Sequence, residues 1–478
     1  MCKKLHRYAC ASTERAAERL TRTLTRTLKS PRKWRAIGKQ LPGLIAAVLT
    51  LSQMLATPAA RAEGEASPTP LGDRASLEDY LRYAALNNAG LEAAFNTWKA
   101  ALERIPQARA LPDPSFTYAY YVVGSQRQQF GVAQMFPWFG KLRLQRDAAA
   151  EVAAATEQEY DKAKLALFYR VKAAYHEYWY LAQALEVTRQ HLQLVANLES
   201  VARTRLKAGV APNSTVLQAQ VELGKLNDKL RTLESLRQPL VSKLNAALGR
   251  PTHLPLPWPR ALPKCETSFT DEQVQGWFRT SNPDLRRLGH LAAKAEADIG
   301  LAKKNFYPDI TLGVDYMQTD EATMPNIRDS GKDPIMALVT INVPLWYGKY
   351  RAAEREARFM KATLDADLED TGQRLAADLE LTLYYFRDAE RKIAFYGDTL
   401  VPKAEQSLKV VQQGFETGST DFTALIDAQR LLLEFRLAER RAQADRGQRL
   451  AEIEMIVNRD LSANADETME SEVRHPSD

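Results

Sequence analysis

Apolar and polar residues alternate in four short stretches of the chain. In each stretch every second side chain is apolar: Phe116, Tyr118, Tyr120 and Val122 in the first, Phe130 and Val132 in the second, Ile310, Leu312, Val314 and Tyr316 in the third, and Ile335, Ala337, Val339, Ile341 and Val343 in the fourth. A period of two predicts β-strands, here in two pairs joined by a short turn at Gly124-Ser125-Gln126 and a longer loop at Thr319–Pro334. Such runs suit transmembrane barrel strands. A water-soluble hairpin alternates in the same way, so the strands alone leave both open.

Long stretches with helical spacing follow each strand pair. Lys141–Lys207 contains no proline and few glycines, and its 67 residues would reach about 100 Å as a helix. Arg351–Thr417 has the same character, although Pro402 is expected to break or kink it near Leu400. Shorter helices are expected at Leu77–Leu86, Leu91–Arg109 and Leu285–Lys304. A series of leucines, mostly spaced by three and four residues, predicts coiled-coil packing between neighbouring helices: Leu223, Leu226, Leu230, Leu233, Leu240 and Leu244. A cytosolic coiled-coil protein would explain these helices, but not the paired aromatic strands.

The same three marks occur twice, in the same order. Each copy has a Pro-Asp pair before the strands, a proline-aromatic-Gly-Lys-x-Arg turn after them, and a glycine that ends the long helix eleven residues before a glutamine. The marks are Pro112-Asp113, Pro137–Arg143, Gly209 and Gln220 in the first copy, and Pro308-Asp309, Pro344–Arg351, Gly418 and Gln429 in the second. The copies are 196 residues apart at the Pro-Asp pair and 208 or 209 apart at the later marks. The chain is therefore predicted to contain two repeats of a helix, two strands and a long helical hairpin.

These repeats set the predicted domain boundaries. The first repeat spans residues 77–250 and the second 271–461, with a proline-rich linker, 251–270, between them. Four strands cannot close a barrel alone, and open sheet edges cannot lie in lipid. If the strands span a membrane they must be shared among subunits, and twelve strands from three chains are the simplest closure.

The N-terminus has the pattern of a secretory signal peptide, predicted as residues 1–62. Twelve Lys or Arg against two acidic residues precede the uncharged run Leu41–Leu55, and Ala60-Arg61-Ala62 provides a small-x-small cleavage site. A retained anchor is the alternative, although fifteen residues are fewer than the roughly 20 that a spanning helix needs. A flexible leader (63–76) is expected next, and a disordered acidic tail (462–478) at the other end.

Removal of the predicted signal peptide would reverse the sign of the net charge. The formal net charge of +6 becomes −5, because the remainder has 52 basic against 57 acidic residues, so the basic balance is no argument for nucleic acid. Only Cys265 would remain, which excludes an intrachain disulfide or a cysteine-based metal cluster. The histidines lack metal-ligand spacing, and there is no phosphate-binding glycine loop. Met317 and Met324 are interpreted as loop residues rather than a copper site. We therefore expect no enzyme activity, no cofactor and no metal site.

In this order the motifs resemble the TolC-type outer-membrane factors, the outer membrane efflux protein family. The resemblance covers Leu77–Leu461 and rests on the duplicated marks together with Asn282-Pro283-x-Leu285, Val401-Pro402-x-Ala404-Glu405, Phe415–Gly418 and Asp427-Ala428-Gln429. The segment Gln134–Lys141 is similar to members that accompany heavy-metal pumps. The resemblance implies a mixed α and β membrane protein. Its homotrimer would form a twelve-stranded barrel in outer-membrane lipid, continuous with a long periplasmic α-helical barrel. It also implies two partners, a periplasmic adaptor protein and an inner-membrane transporter.

The resemblance also suggests functional residues. The helical-hairpin tips at Gly209 and Gly418 would form the periplasmic end, where the adaptor docks. Asp427 matches one pore-facing aspartate of the family's gate. The alternative is that Asp427 is a solvent-exposed helix residue with no role in gating. Asp421 is a second gate candidate that could instead cap the following helix. The positions of the family's interhelical lock are Thr215 and Thr420 here, so the lock is expected to be missing.

The turn aromatics Trp138, Phe139, Trp346 and Tyr347 are predicted to lie at the membrane interface, with ordinary packing as the alternative. The resulting prediction is a passive exit duct for small molecules or metal ions exported by an inner-membrane pump. A type I protein secretion duct and a periplasmic coiled-coil adaptor without a pore are the alternatives.

Overall fold

The computed structural model describes residues 75–123, 126–259, 262, 269–321 and 331–461. The predicted signal peptide, most of the leader, the acidic tail, the Gly124-Ser125 turn, Cys265, Met324 and most of the Thr319–Pro334 loop lie outside the described residues. The described part combines long α-helices with one small β-sheet, so the mixed α and β composition that we predicted is confirmed.

The order of elements in the first half recurs in the second. The first half contains α1 (Leu77–Asn87), α2 (Ala89–Leu102), α3 (Arg104–Arg109), β1 (Ser115–Tyr120), β2 (Gln126–Phe136), α4 (Lys141–Lys207) and α5 (Asn213–Leu248). The second contains α6 (Asp271–Ser281), α7 (Pro283–Lys304), β3 (Asp309–Thr319), β4 (Ile335–Asn342), α8 (Tyr347–Ala394), a π-helical segment (Phe395–Leu400), α9 (Val401–Thr417) and α10 (Phe422–Val457). The described linker residues, 251–259, 262 and 269–270, are not helical, which agrees with the prolines of this segment.

The four strands form one antiparallel sheet in the order β1-β2-β3-β4. Two hairpins, β1-β2 and β3-β4, are joined where β2 pairs with β3. Phe116 lies opposite Val132, and Val132 lies opposite Val314, so the alternating apolar residues of neighbouring strands share one face. Within the described residues β1 and β4 are the two edge strands.

Long helices pack against one another below the sheet. α4 contacts α5 of its own hairpin and also α7 and α10 of the second half. One apolar cluster lies between the two hairpins near their tips and includes Val195, Leu226, Leu425 and Leu432. Two further clusters fill the first and the second half around Tyr178 and Phe386. No helix among the described residues carries an apolar stretch long enough to cross a membrane.

Two asparagines at equivalent places each connect two helices of a repeat. Asn88 caps α2 by accepting from the Leu91 N–H (3.1 Å), and its side-chain amide donates to Ala247 O in the last turn of α5 (3.0 Å). Asn282 caps α7 and donates to Ile456 O in the last turn of α10 (2.8 Å). Because each amide satisfies helix-end groups on both sides, it ties the helix that leads into the sheet to the helix that returns from the tip.

Two predicted helix boundaries need correction. The Leu91–Arg109 helix divides at Glu103 into α2 and α3, and α8 begins at Tyr347 rather than Arg351. The interruption predicted near Leu400 is present: α8 ends at Ala394, the π-helical segment follows, and α9 begins at Val401. Pro402 lies in the first turn of α9, where its missing N–H is tolerated.

Candidate functional site

One face of the sheet is apolar and open to solvent in the single chain. Tyr118 on β1 is 53% exposed and Val339 on β4 is 65% exposed, although both lie in regular strands. Tyr118 packs beside Phe130 of the next strand, with ring centroids 5.2 Å apart. A continuous apolar surface of this kind is uncommon on a water-soluble monomer and indicates that something apolar covers it.

The opposite face carries a polar network across the centre of the sheet. The Tyr121 hydroxyl donates to Gln129 Oε1 (2.5 Å), and Gln129 Nε2 donates to Asp315 Oδ2 (3.0 Å). Asp315 lies directly opposite Gly131, where a Cβ atom would overlap its carboxylate. The glycine therefore provides the space for the acidic side chain. A glycine inside the β2 pattern is the sequence signal that could have predicted this close approach.

The turn after β2 is held by the second Pro-Asp pair. Asp309 Oδ1 accepts from the Trp138 backbone N–H (2.8 Å) and from Lys141 Nζ (2.8 Å). Trp138 also stacks on Tyr307, with centroids 5.3 Å apart and planes at 10°. Gly140 adopts φ +89° immediately before α4, a conformation that favours glycine. The recurring marks of the two repeats thus meet in space, with Asp309 of the second holding the turn of the first.

The predicted interface aromatics lie at these turns and differ in exposure. Trp138 is half-buried, whereas Phe139 is 81% and Trp346 77% exposed, with Tyr347 also exposed. Trp138, Phe139 and Trp346 lie between the strands and the long helices, and Tyr347 is the first residue of α8. Their contact with a membrane interface stays a prediction.

Gly209 and Gly418 end the outgoing helices of the two hairpins in the same conformation. Their φ angles are +73° and +82°. The residue after each glycine donates back into the last turn: Val210 N to Arg205 O (2.9 Å) and Ser419 N to Gly414 O (2.8 Å). This is a Schellman-type helix end, and it explains the glycine at both tips.

Arg205 connects the two hairpin tips. Its guanidinium donates to Phe415 O (2.6 Å) and Glu416 O (2.5 Å) and lies 4.6 Å from the centre of the Phe415 ring. Its contacts therefore satisfy two carbonyl groups at the end of α9 with a positive charge, which the helix dipole also favours. No local sequence signal marks Arg205 as a contact residue, because its partners lie about two hundred residues away in the chain.

The two acidic gate candidates occupy different environments. Asp421 caps α10 by accepting from the Ala424 N–H (2.9 Å). Asp427 has a side chain that is 63% exposed and accepts from Arg430 (3.2 Å), whose guanidinium also binds Glu222 on α5 (2.6 Å). The hydrogen bond from Arg430 is the main reason why the pKa of Glu222 is lowered. An interhelical ion pair thus joins the two hairpins about three turns from the tips, while Thr215 and Thr420 carry no charge.

Buried ionisable groups lie farther along the helical region. Lys172 on α4 and Glu454 on α10 form an ion pair of 2.5 Å, with side chains only 11% and 8% exposed. His176, one turn later on α4, packs against Gly447, where any Cβ would overlap its ring. Burial, with Lys172 nearby, lowers the pKa of His176 to about 4. Among the described residues no group of His, Cys, Asp and Glu side chains is arranged to hold a metal ion.

A small sheet with an exposed apolar face, joined to long paired helices, defines a class of outer-membrane channel proteins. The chain belongs to the outer membrane efflux protein family, whose sequence model matches residues 81–250 and 278–459. It is 24% identical over 388 residues to a probable efflux pump outer membrane protein, TtgC, of Pseudomonas putida, covering 79% of this chain and 78% of that protein.

Solved structures of low sequence identity share the fold. The outer membrane protein VceC of Vibrio cholerae superposes with a TM-score of 0.66 at 20% identity, covering 80% of this chain and 95% of that one. The open state of the MtrE outer membrane channel of Neisseria gonorrhoeae gives 0.67 at 18% identity, with coverages of 81% and 89%. The family match confirms the predicted family and outer-membrane location. The family consists of transport proteins rather than enzymes.

Proposed function

We propose that the protein is the passive exit duct of a tripartite efflux system. Three copies would close their sheets into a twelve-stranded barrel in the outer membrane, and their helical hairpins would continue it through the periplasm. The observation that carries this proposal is the sheet, with its exposed apolar face and its two edge strands. Lipid would cover the apolar face, and neighbouring copies would pair with the edges.

The number of copies follows from the space that a channel needs. Eight strands enclose an interior that side chains fill, whereas larger barrels leave an aqueous lumen. With four strands per chain, two copies would give eight strands and no channel. Three copies are the smallest closed set with a lumen, and the polar face around Asp315 and Gln129 would line it.

The tips provide the periplasmic end of the duct. The exposed turns at Gly209 and Gly418 would dock the adaptor protein, and an inner-membrane transporter would supply the energy. Three copies of Asp427 around a narrow axis would attract cations and repel one another. The Arg205 contact and the Arg430–Glu222 pair are the connections that would hold the tips closed in place of the family's usual lock.

The partner pump, more than the duct, would determine which substrates are exported. Small molecules or metal ions are the proposed substrates. The relative TtgC is described as part of an efflux pump, and the Gln134–Lys141 segment is similar to family members that accompany heavy-metal pumps. Protein secretion by a type I system remains the alternative cargo. A periplasmic adaptor without a pore is the alternative class, and it would need no lipid around the strands.

Membrane fractionation tests the proposal with a pair of adjacent substitutions. Val339 lies on the apolar face of β4 and Thr340 on the opposite face. A lysine facing lipid costs about 2–4 kcal/mol near the bilayer midplane, whereas one facing the lumen costs little. We expect the unaltered chain and Thr340→Lys to be extracted from outer membranes as trimers, and Val339→Lys to be depleted there. A soluble monomer, or equal behaviour of the two variants, would overturn the proposal.

The proposed gate has a separate test. Asp427→Ala should reduce the cation selectivity of the channel in planar bilayers, because it removes one carboxylate per subunit from the narrow end. Unchanged selectivity would mean that Asp427 serves only as the surface partner of Arg430.

A further inference from the structure

The contact between the two halves of one chain is a template for a contact that the single chain cannot make. At the junction of the halves, β2 pairs with β3, and Asp309, the first residue of β3, binds Trp138 N and Lys141 Nζ in the turn after β2. Each partner has an equivalent in the other half of the chain. Asp113 lies two residues before β1 and corresponds to Asp309, and the turn after β4 contains a Trp and a Lys as does the turn after β2.

The strand pairings show that the two hairpins have the same register. Phe116 lies opposite Val132 in the first hairpin, and Leu312 lies opposite Val339 in the second. Leu312 follows Phe116 by 196 residues and Val339 follows Val132 by 207, and the same two offsets relate the other pairs of the hairpins. The 196-residue offset is also the one that relates Asp309 to Asp113. One extra residue, Leu345, then brings the turn to an offset of 208.

The equivalent groups are present and open in the second half. Trp346 and Lys349 correspond to Trp138 and Lys141, and the turn keeps its backbone bond, from Lys349 N to Trp346 O at 3.0 Å as from Lys141 N to Trp138 O at 3.0 Å. Lys141 is buried by its partner, whereas Lys349 and Asp113 are exposed. Within the described part of the chain, neither Lys349 nor Asp113 makes an ion pair.

We propose that β4 of one copy pairs with β1 of the next in the register of β2 and β3, and that Asp113 of the next copy binds Trp346 N and Lys349 Nζ. This inference rests on the proposed assembly of three copies. The β2-β3 register places Ala133 opposite Gly313, so the equivalent pair between copies is Thr340 and Thr117. The opposite charges of Lys349 and Asp113 favour a second copy as the occupant of this edge over any unrelated strand.

Cysteine cross-linking of the protein in its membrane, after removal of the predicted signal peptide with Cys2 and Cys10, tests the register. In a Cys265→Ser background, Thr340→Cys with Thr117→Cys should link copies by disulfides on mild oxidation, because directly opposite Cβ atoms lie about 4.5–5.5 Å apart. Leu338→Cys with Thr117→Cys is the matched control, on the same face but two residues out of register. It should link much less.

Two matched substitutions test the ion pair. Asp113→Asn should lower the temperature at which extracted trimers dissociate, and exchanging the charges with Asp113→Lys and Lys349→Asp should restore part of the loss. Asp309→Asn removes the equivalent contact inside one chain and should leave dissociation nearly unchanged.

The outcomes separate this inference from the proposed function. A conducting trimer in which the control pair links as well as Thr340 with Thr117, or in which Asp113→Asn and Asp309→Asn behave alike, would overturn the inference and leave the duct intact. A chain that stays monomeric in lipid would overturn both.

Discussion

Removing Lys172 from its buried ion pair with Glu454 should destabilise the protein in a pH-dependent way. Lys172→Met keeps most of the side-chain volume but leaves Glu454 without its cation, in a place where only 8% of its side chain is exposed. Desolvation already raises the pKa of Glu454, and Lys172 is the main group that opposes this shift. Without Lys172 the carboxylate would be an uncompensated buried charge, which typically costs 3–5 kcal/mol.

Protonation limits this cost and gives it a distinctive pH dependence. The carboxyl can take up a proton instead, and at pH 7 this costs about 3 kcal/mol for a group whose ordinary pKa is 4.5. In the variant the folded pKa of Glu454 lies above the unfolded one. Relative to the unaltered protein, the loss should therefore be near zero at low pH, where Glu454 is protonated in both proteins. It should grow by up to about 1.4 kcal/mol per pH unit above the already raised pKa of Glu454 in the unaltered protein, and level off at about 3 kcal/mol or less.

The assay is denaturant unfolding of the detergent-extracted protein, followed by tryptophan fluorescence between pH 4.5 and 8. Lys162→Met is the matched control, because Lys162 lies on the same helix but pairs with Asp284 at the surface, 58% exposed. It should cost at most about 1 kcal/mol with little pH dependence. Lys172→Met combined with Glu454→Gln should remove the pH dependence. A pH-independent loss, or a loss no larger than that of Lys162→Met, would refute the reasoning.

Three further predictions concern a crowded glycine, a buried histidine and the tip contact. Gly249→Ala should destabilise the protein by about 2 kcal/mol or more in the same unfolding assay, because φ is +74° and the new Cβ would overlap Asn87 O. Because the pKa of His176 is lowered to about 4, the folded protein should lose up to about 3 kcal/mol of stability as the pH falls from 6.5 to 4. His176→Gln should remove this part of the pH dependence. Arg205→Ala should increase amide hydrogen exchange around residues 413–420, because about 1–2 kcal/mol of charged hydrogen bonding is lost.

Each of these predictions has a contradicting result. Gly209→Ala has the same backbone strain with no atom within 4 Å, so an equal loss in both glycine variants would exclude the overlap with Asn87. If His176→Gln kept the full acid sensitivity, other groups would have to cause it. Lys207→Ala is the control for Arg205, and similar exchange in both variants would mean that Arg205 does not hold the tips together.

Local patterns predicted the elements well, because their signals lie within a few residues. The helix α4 spans Lys141–Lys207 as expected, since no proline interrupts it and Gly209 is able to end it in the left-handed conformation. The strands followed from strict alternation. Pro402 correctly marked the place where the second long helix is interrupted, because a proline cannot donate the backbone hydrogen bond that a continuous α-helix needs.

The contacts between the repeats could not be predicted in the same way. Asp309 was recognised as a recurring residue, but its partners in the Trp138–Lys141 turn depend on β2 lying beside β3, which no local pattern specifies. The same holds for Arg205, and for Lys172 with its partner 282 residues away in sequence. These side chains look like ordinary helix-surface residues until the fold places their partners.

The central claim is that three copies form one water-filled duct through the outer membrane. Single-channel recording of the detergent-extracted protein in planar bilayers tests it most directly, with the particle mass determined on the same preparation. We expect discrete conductance steps from particles of three chains, and no such steps from Val339→Lys. Trimers that insert into the bilayer without conducting, or conductance from particles of another size, would contradict the account.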